Sequence, residues 1–222
     1  MALAALALAA ALPAAAPAAE AVGTLSWLKG SVTLTREGKT TAAVPGCEVC
    51  IRDTLRAGPD SGAEVILKDQ SVVKLAAGAS LEITDYLYAP DQAKRSALLT
   101  LAAGKARFVA NDLKEFKEKG FQVRSATAII GTRGTDFVVW VAPDGATSAL
   151  AIERVVVVAG REKPRETVTI APNQVSEVRP GALPSAARTA TAAERSAFLR
   201  ELDQFMSDEL KKGPAKIQGG SG

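Results

Sequence analysis

Short runs of alternating or β-branched residues fill the sequence from residue 23 onward, and Gly, Pro or Asp interrupts them about every 8–12 residues. In the run Lys105–Val109, apolar Ala106 and Phe108 alternate with charged Lys105 and Arg107. Such alternation is typical of a sheet with one face on a core and the other in water. The pattern predicts a mainly β domain.

The predicted strands share this short, turn-bounded pattern. They are Thr24–Leu28, Ser31–Thr35, Ala63–Leu67, Val72–Leu75, Leu81–Thr84, Leu98–Leu101, Lys105–Val109, Phe121–Arg124, Ala128–Ile130, Phe137–Val141, Ser148–Ile152, Arg154–Val158, Thr167–Ile170 and Gln174–Val178. Two helices are also predicted. A short one spans Leu113–Lys119, capped by Asn111 or Asp112 and ended by Gly120.

The second predicted helix is amphipathic and follows the capping-box pattern of Thr191 and Glu194. Its apolar stripe either packs back on the β domain or forms a docking surface for a partner. The residues proposed for such a partner surface are Phe198, Leu202, Phe205 and Met206.

Residues 1–21 contain 13 alanines and no Lys or Arg, and they resemble a secretory signal that lacks its basic start. Small-x-small cleavage points follow Ala18 and Ala21; an uncleaved membrane anchor is the alternative, which Pro13 and Pro17 disfavour. The predicted organisation is a signal peptide over 1–21, a β domain over 22–179, a linker over 180–190, the amphipathic helix over 191–212 and a disordered tail over 213–222. We expect a periplasmic or secreted protein that is not stably inserted in a membrane.

The two cysteines, Cys47 and Cys50, lie three residues apart after the Pro45-Gly46 turn. An exported chain favours a disulfide between them, although residues three apart in a flat strand lie about 10 Å apart, so the pair requires a turn. Unpaired thiols, a redox CxxC pair and half of a metal site are the alternatives.

The absence of histidine excludes Ser-His-Asp and Cys-His nucleophile pairs and the HExxH zinc site. The net charge of +3 falls short of the concentrated basic surface of a nucleic-acid binder. Catalysis would then depend on carboxylates such as Asp53, Asp69, Asp136 and Glu153, which show no paired spacing. No cofactor or metal is expected.

The segment from Phe121 to Val139 contains the most distinctive motif, Gly131-Thr132-Arg133-Gly134-Thr135-Asp136 followed by Phe137. It predicts a turn between two strands, because Gly131 and Gly134 allow positive φ or close approach of another backbone. It is neither a P-loop nor a dinucleotide fingerprint, because no Lys-Ser/Thr and no helix follow the glycines. The motif is interpreted as a fold-fixing corner or as a ligand-binding loop, and its candidate binding residues are Gly131, Thr132, Arg133, Gly134, Thr135, Asp136 and Phe137.

Residues 22–160 resemble the FecR domain family. The stretch from Ser125 to Val139 is similar to the closing "RGT-x-F-x-V" motif of that family, and Gly23–Leu34 is similar to its opening. Three departures are visible: Arg52 replaces a Gly before Asp53, Gln70 replaces the Gly of an Asp-Gly-Ser motif, and the pair of cysteines is an addition. The resemblance implies a periplasmic β-rich domain of roll or short solenoid type. Together with the strand pattern, the predicted fold is an antiparallel β-roll, short β-solenoid or sandwich-like domain with a C-terminal amphipathic helix.

The sequence thus predicts a non-enzymatic cell-envelope module for binding, sensing or signalling, whose partner is an envelope protein or glycan. The alternative is a structural envelope component that assembles through β edges or through the C-terminal helix. An enzyme is disfavoured.

Overall fold

The computed structural model describes the backbone of residues 20–212 and the side chains of residues 20–203. Seventeen strands occupy most of the described chain. In chain order they are β1 (Ala21–Lys29), β2 (Val32–Arg36), β3 (Lys39–Ala42), β4 (Glu48–Cys50), β5 (Thr54–Ala57), β6 (Gly62–Leu67), β7 (Val72–Leu75), β8 (Ser80–Ala89), β9 (Lys94–Val109), β10 (Glu118–Arg124), β11 (Ala128–Thr132), β12 (Asp136–Val141), β13 (Thr147–Ala151), β14 (Val156–Gly160), β15 (Thr167–Ile170), β16 (Gln174–Val178) and β17 (Arg188–Thr189). A 3-10 turn over Pro90–Gln92 and one α-helix, α1 (Ala192–Lys212), complete the described elements.

The strands form two layers that share strand β9. Sheet A has the order β4-β1-β6-β7-β9-β12-β13-β16-β17. Sheet B has the order β3-β2-β5-β8-β9-β10-β11-β14-β15. The chain passes back and forth between the layers: β6–β7, β12–β13 and β16–β17 are hairpins of sheet A, and β2–β3, β8–β9, β10–β11 and β14–β15 are paired in sheet B. The fold is the predicted mainly β, sandwich-like roll.

Strand β9 passes from sheet B to sheet A at Gly104. Residues 94–103 pair with β8 in sheet B, whereas residues 104–109 pair with β12 in sheet A. Gly104 has φ +77°, and a Cβ there would lie 2.6 Å from the Cα of Ala79. Glycine is therefore required where the strand changes layers.

The bend in β9 also explains the one parallel pair among the described strands, β9 with β10. Parallel neighbours normally need a crossover of a dozen or more residues. Here residues 110–117 suffice because β9 bends back, which brings its end near its own start. The Arg95 guanidinium shows this closeness, since it donates to the carbonyl of Asn111 at 3.3 Å and to that of Lys119 at 2.9 Å.

The core lies between the two sheets. Phe108 and Phe137 of sheet A stack with ring centroids 5.3 Å apart, and Phe121 of sheet B meets them edge-on at 6.1 and 6.4 Å. All three rings are fully buried. The rings join the layers at the position where β9, β10 and β12 meet.

Helix α1 packs on the outer face of sheet A. Its Phe198 and Leu202 are buried against Val138, Leu150 and Val175. The predicted capping box is confirmed, because the Thr191 amide donates to the Glu194 carboxylate at 2.8 Å and the Glu194 amide donates to the Thr191 hydroxyl at 3.2 Å. No helix of the described residues has both the length and the apolar composition to cross a membrane.

Several sequence expectations need correction. The predicted helix over Leu113–Lys119 is wrong: the chain turns at residues 114–115 and enters β10 at Glu118. The predicted break between two strands within 98–109 is instead the bend of the continuous β9.

The predicted linker over 180–190 contains β17, which pairs with β16. Residues 1–19 of the predicted signal and the predicted tail 213–222 lie outside the described residues.

Candidate binding site

The Arg-Gly-Thr motif forms the corner at which the chain leaves sheet B and enters sheet A. Gly131 and Thr132 end β11, and Asp136 and Phe137 begin β12. Gly134 has φ +133°, and a Cβ there would lie 2.7 Å from the Cα of Asp112. The corner therefore requires glycine at residue 134.

The second half of the motif is buried and stabilises the fold. The Thr135 hydroxyl donates to the carbonyl of Glu153. The Asp136 carboxylate accepts two hydrogen bonds from Arg107, at 2.9 and 2.6 Å, and these bonds raise the pKa of the Arg107 guanidinium. Phe137 is fully buried in the aromatic core. Gly134 to Phe137, predicted as binding residues, are thus buried.

The first half of the motif is open to solvent. Gly131, Thr132 and Arg133 line a groove of about 350 Å³ on the outer face of sheet B. Arg133 is exposed, and its guanidinium makes no hydrogen bond or ion pair with a described residue. The structure therefore divides the predicted loop into a buried corner and an exposed end.

Two glycines in this groove have no structural requirement for being glycine. A Cβ at Gly120 or Gly131 would meet no atom within 4 Å, and neither residue has a positive φ. Glycine inside a strand normally costs about 0.5–1 kcal/mol relative to alanine. Such a glycine marks a place where another molecule can approach the backbone closely.

The other lining residues give the groove an apolar floor and a polar rim. Val157 is 38% exposed, and the half-buried Ile129 lies on the neighbouring strand β11. Gln122 of β10 lies opposite Gly131 in the register. Arg133 is the one charged side chain among the lining residues. The groove is thus suited to apolar side chains accompanied by a carboxylate.

The aspartates weighed as catalytic candidates are each paired with an arginine. Arg36 binds Asp53 at 2.8 and 2.7 Å, Arg95 binds Asp69 at 2.7 Å, and Arg107 binds Asp136. These three carboxylates lie in different elements: Asp53 precedes β5, Asp69 lies between β6 and β7, and Asp136 begins β12. Glu153 is exposed and contributes its backbone carbonyl to the corner. Within the described part of the chain, no three Cys, Asp or Glu side chains are grouped as a metal site would need.

The Asp69–Arg95 pair belongs to a buried network that the sequence analysis missed. Asp69 accepts hydrogen bonds from the amide and hydroxyl of Ser71, at 3.0 and 2.7 Å, and its own amide donates to the Tyr86 hydroxyl at 2.9 Å. The backbone N–H of Asn111 donates to the Ser71 hydroxyl at 3.0 Å. The signal was present in the Asp69-Gln70-Ser71 motif, but the arginine partner comes from a distant strand.

The two glycine replacements in the family pattern fall at strained backbone positions. Arg52 has φ +70° and Gln70 has φ +65°, which is the left-handed region that glycine adopts without steric cost. The turns at Arg52 and Gln70 therefore keep the glycine-type conformation although the glycine is missing.

The predicted Cys47–Cys50 disulfide is absent from the structure. Cys47 directly precedes β4 and Cys50 ends it, so the two residues are separated by extended backbone. Extended residues three apart lie about 10 Å apart, beyond the Cα separation of about 7 Å that a disulfide tolerates. The Pro45-Gly46 turn comes before the pair rather than within it. Burial raises the pKa of the Cys50 thiol.

The helix residues proposed for a partner surface are only partly described. Phe198 and Leu202 pack on the protein's own sheet A, which is the first of the two alternatives for the stripe. The side chains of Phe205 and Met206 lie outside the described set.

Comparison with known proteins shows what the β domain is similar to. A family model described as FecR protein matches residues 53–161. Two crystal structures of a candidate anti-sigma factor from Parabacteroides distasonis ATCC 8503 are similar in fold: one is 22% identical with a TM-score of 0.52, covering 66% of this chain and 64% of its own. The other is 20% identical with a TM-score of 0.52, covering 70% of this chain and 71% of its own.

The chain thus spans under two thirds of the first of these structures. Comparison with curated proteins gives no match. The matched segment begins at the buried Asp53 and ends after β14, and it includes the long strand β9 and the whole Arg-Gly-Thr corner. Residues 53–161 of this chain are thus similar to FecR proteins.

Proposed function

We propose that this protein is a non-enzymatic signalling module of the cell envelope that binds a partner protein through the groove beside Arg133. The match to the FecR family model and the anti-sigma-like neighbours support a role in signalling or sensing. The main support for the proposal is that the Arg-Gly-Thr motif has two parts. Gly134 to Phe137 are buried and stabilise the corner, whereas Gly131 and Arg133 are accessible to solvent.

A protein partner suits the groove better than a glycan. Sugar-binding surfaces use exposed aromatic rings as stacking platforms, and the one aromatic residue at this groove, Phe121, is fully buried in the core. Assembly through sheet edges is also disfavoured, since the edge strands β3, β4, β15 and β17 are only two to four residues long. Short edges give few unpaired backbone groups to a neighbouring chain.

Export is the second part of the proposal, with cleavage after Ala18 rather than after Ala21. Ala21 pairs with Cys50, and the amide of Lys68 donates to the carbonyl of Val22 at 2.8 Å. Cleavage after Ala18 would leave the whole of β1 intact, whereas cleavage after Ala21 would remove its first residue. The mass of the protein recovered from the periplasm distinguishes the two sites, and a full-length mass in the cytoplasm would refute export.

Affinity capture from an envelope extract tests the binding function. We expect the wild-type protein to capture a partner and Arg133→Glu to lose it. The matched control is Arg56→Glu, because Arg56 is exposed on β5 of sheet B, outside the groove. Equal capture by all three proteins would refute the role of Arg133. Capture of nothing by the wild type would count against a binding module.

A further inference from the structure

The outer faces of the two sheets differ in what covers them. On sheet A, the apolar side chains Val138, Leu150 and Val175 lie beneath helix α1. On sheet B, Ile129 and Val157 point outward in the same way, since their neighbours Ile130 and Val158 are buried in the core. No described element covers them, and together with Gly131 they form the floor of the groove.

Helix α1 shows how this fold covers such a face. Phe198 and Leu202 lie four residues apart, one helical turn, and insert into the apolar patch. Acidic residues beside them reach the cations of the sheet: Asp203 lies 3.0 Å from the Arg107 guanidinium and Glu201 lies 3.5 Å from the Lys105 ammonium. The arrangement is an apolar pair flanked by carboxylates that match basic side chains at the edge of the patch.

The groove on sheet B presents the same elements without the helix. Its floor is apolar, and the missing side chains at Gly120 and Gly131 leave a depression into which a partner's side chains can insert. Its single charged residue, Arg133, is basic and has no described ion-pair partner, so its complement is a carboxylate. The apolar floor, the depression and the Arg133 guanidinium thus lie on the same surface.

We propose that this groove binds an amphipathic helix of a partner protein, with two apolar side chains one turn apart over Gly131 and an acidic residue beside them on Arg133. The inference rests on the proposed function and adds the form and charge of the segment that is bound. It places the partner on the side of the molecule opposite to α1, so binding does not require α1 to leave sheet A.

The test uses two peptide display libraries selected on the whole protein, one of helix-forming peptides and one of proline-containing extended peptides. We expect binders from the helical library, with apolar residues at positions i and i+4 and an adjacent Asp or Glu. Gly131→Leu fills the depression and is expected to abolish their binding. Arg133→Glu reverses the charge and is expected to weaken binding by about tenfold or more.

Both variants should fold, because Gly131 has open space around it and Arg133 is exposed; equal thermal unfolding temperatures check this. Arg56→Glu is the control and should bind like the wild type. Extended peptides that are selected and then lost in Gly131→Leu would overturn the helical inference while the binding function stands. If no peptide from either library depends on Gly131 or Arg133, both the inference and the role of the groove are refuted.

Discussion

The buried pair of Arg95 and Asp69 allows a sharp test of what holds the layers together. Both side chains are fully buried, and the Arg95 guanidinium donates to the Asp69 carboxylate and to the carbonyls of Asn111 and Lys119. Arg95→Met removes these bonds and leaves a buried carboxylate held only by Ser71. Breaking a buried ion pair in this way costs about 3–5 kcal/mol.

The matched variant is the double substitution Arg95→Met with Asp69→Asn. The asparagine side chain carries no charge and can still accept a hydrogen bond from the Ser71 amide, so we expect a total cost of only about 1–2 kcal/mol. Asp69→Asn alone should resemble Arg95→Met, because it leaves a buried guanidinium whose Nε has no hydrogen-bond partner among the described residues.

Urea unfolding measures the difference. With a slope of about 2 kcal/mol/M for a domain of this size, Arg95→Met should lower the unfolding midpoint by about 2 M and the double variant by less than 1 M. The reasoning is refuted if the double variant costs as much as the two single variants together. That result would mean that the pair contributes nothing as a pair.

Three further predictions concern the backbone and the helix cap. Gln70→Gly should raise stability by about 0.5–1 kcal/mol in thermal unfolding, because Gln70 has φ +65°; an unchanged or lower unfolding temperature would contradict this. Gly104→Ala should lower the free energy of unfolding by about 3 kcal/mol or more, whereas Gly120→Ala should leave it unchanged or raise it. Equal shifts of the urea midpoint in the two variants would contradict the requirement for glycine where β9 changes sheets. The hydrogen bond from Arg188 lowers the pKa of Glu194 from 4.5 to about 2, so the cap of α1 should persist above pH 4.5 and be lost as the pH falls toward 2. Amide exchange at the start of α1 measures this loss. The Glu194→Gln variant has no carboxylate to protonate, so the pH dependence of the exchange should disappear.

Side-chain alternation was sufficient to predict most strands, since one face of each strand lies on the core. It missed β3, β4, β5 and β17. Strand β3 is exposed at all four residues and has no apolar face to recognise. Strands β4 and β17 are only three and two residues long, and β5 is fixed by its pairing with β2 and β8. Such strands exist because a neighbour supplies hydrogen bonds, which a local pattern does not report.

The helix predicted over Leu113–Lys119 failed because a distant contact prevails over local preference. The amide of Lys117 donates to the carbonyl of Ala93 at 3.1 Å, and β10 then pairs with β9 along its length. A capping residue and a terminal glycine are local signals, whereas this pairing depends on the bend at Gly104.

The candidate site was predicted only in part. The glycines of the Arg-Gly-Thr motif indicated a corner, and the structure places a corner there. The sequence could not show that Gly134 is enclosed by Asp112 while Gly131 faces open space, because the enclosing residue belongs to the crossover segment. Gly120 and Val157 join the groove only through sheet pairing, so neither was a candidate.

The sharing of β9 by the two sheets has a consequence for how the protein loses its structure. Sheet A and sheet B cannot separate as intact layers, because each would keep only part of the same strand. A substitution anywhere along β9 should therefore weaken both layers, and denaturation should follow one cooperative transition when monitored from either face. Because β9 belongs to both sheets, a partner bound on sheet B would also stabilise the surface of sheet A on which α1 packs, with no contact between the partner and the helix.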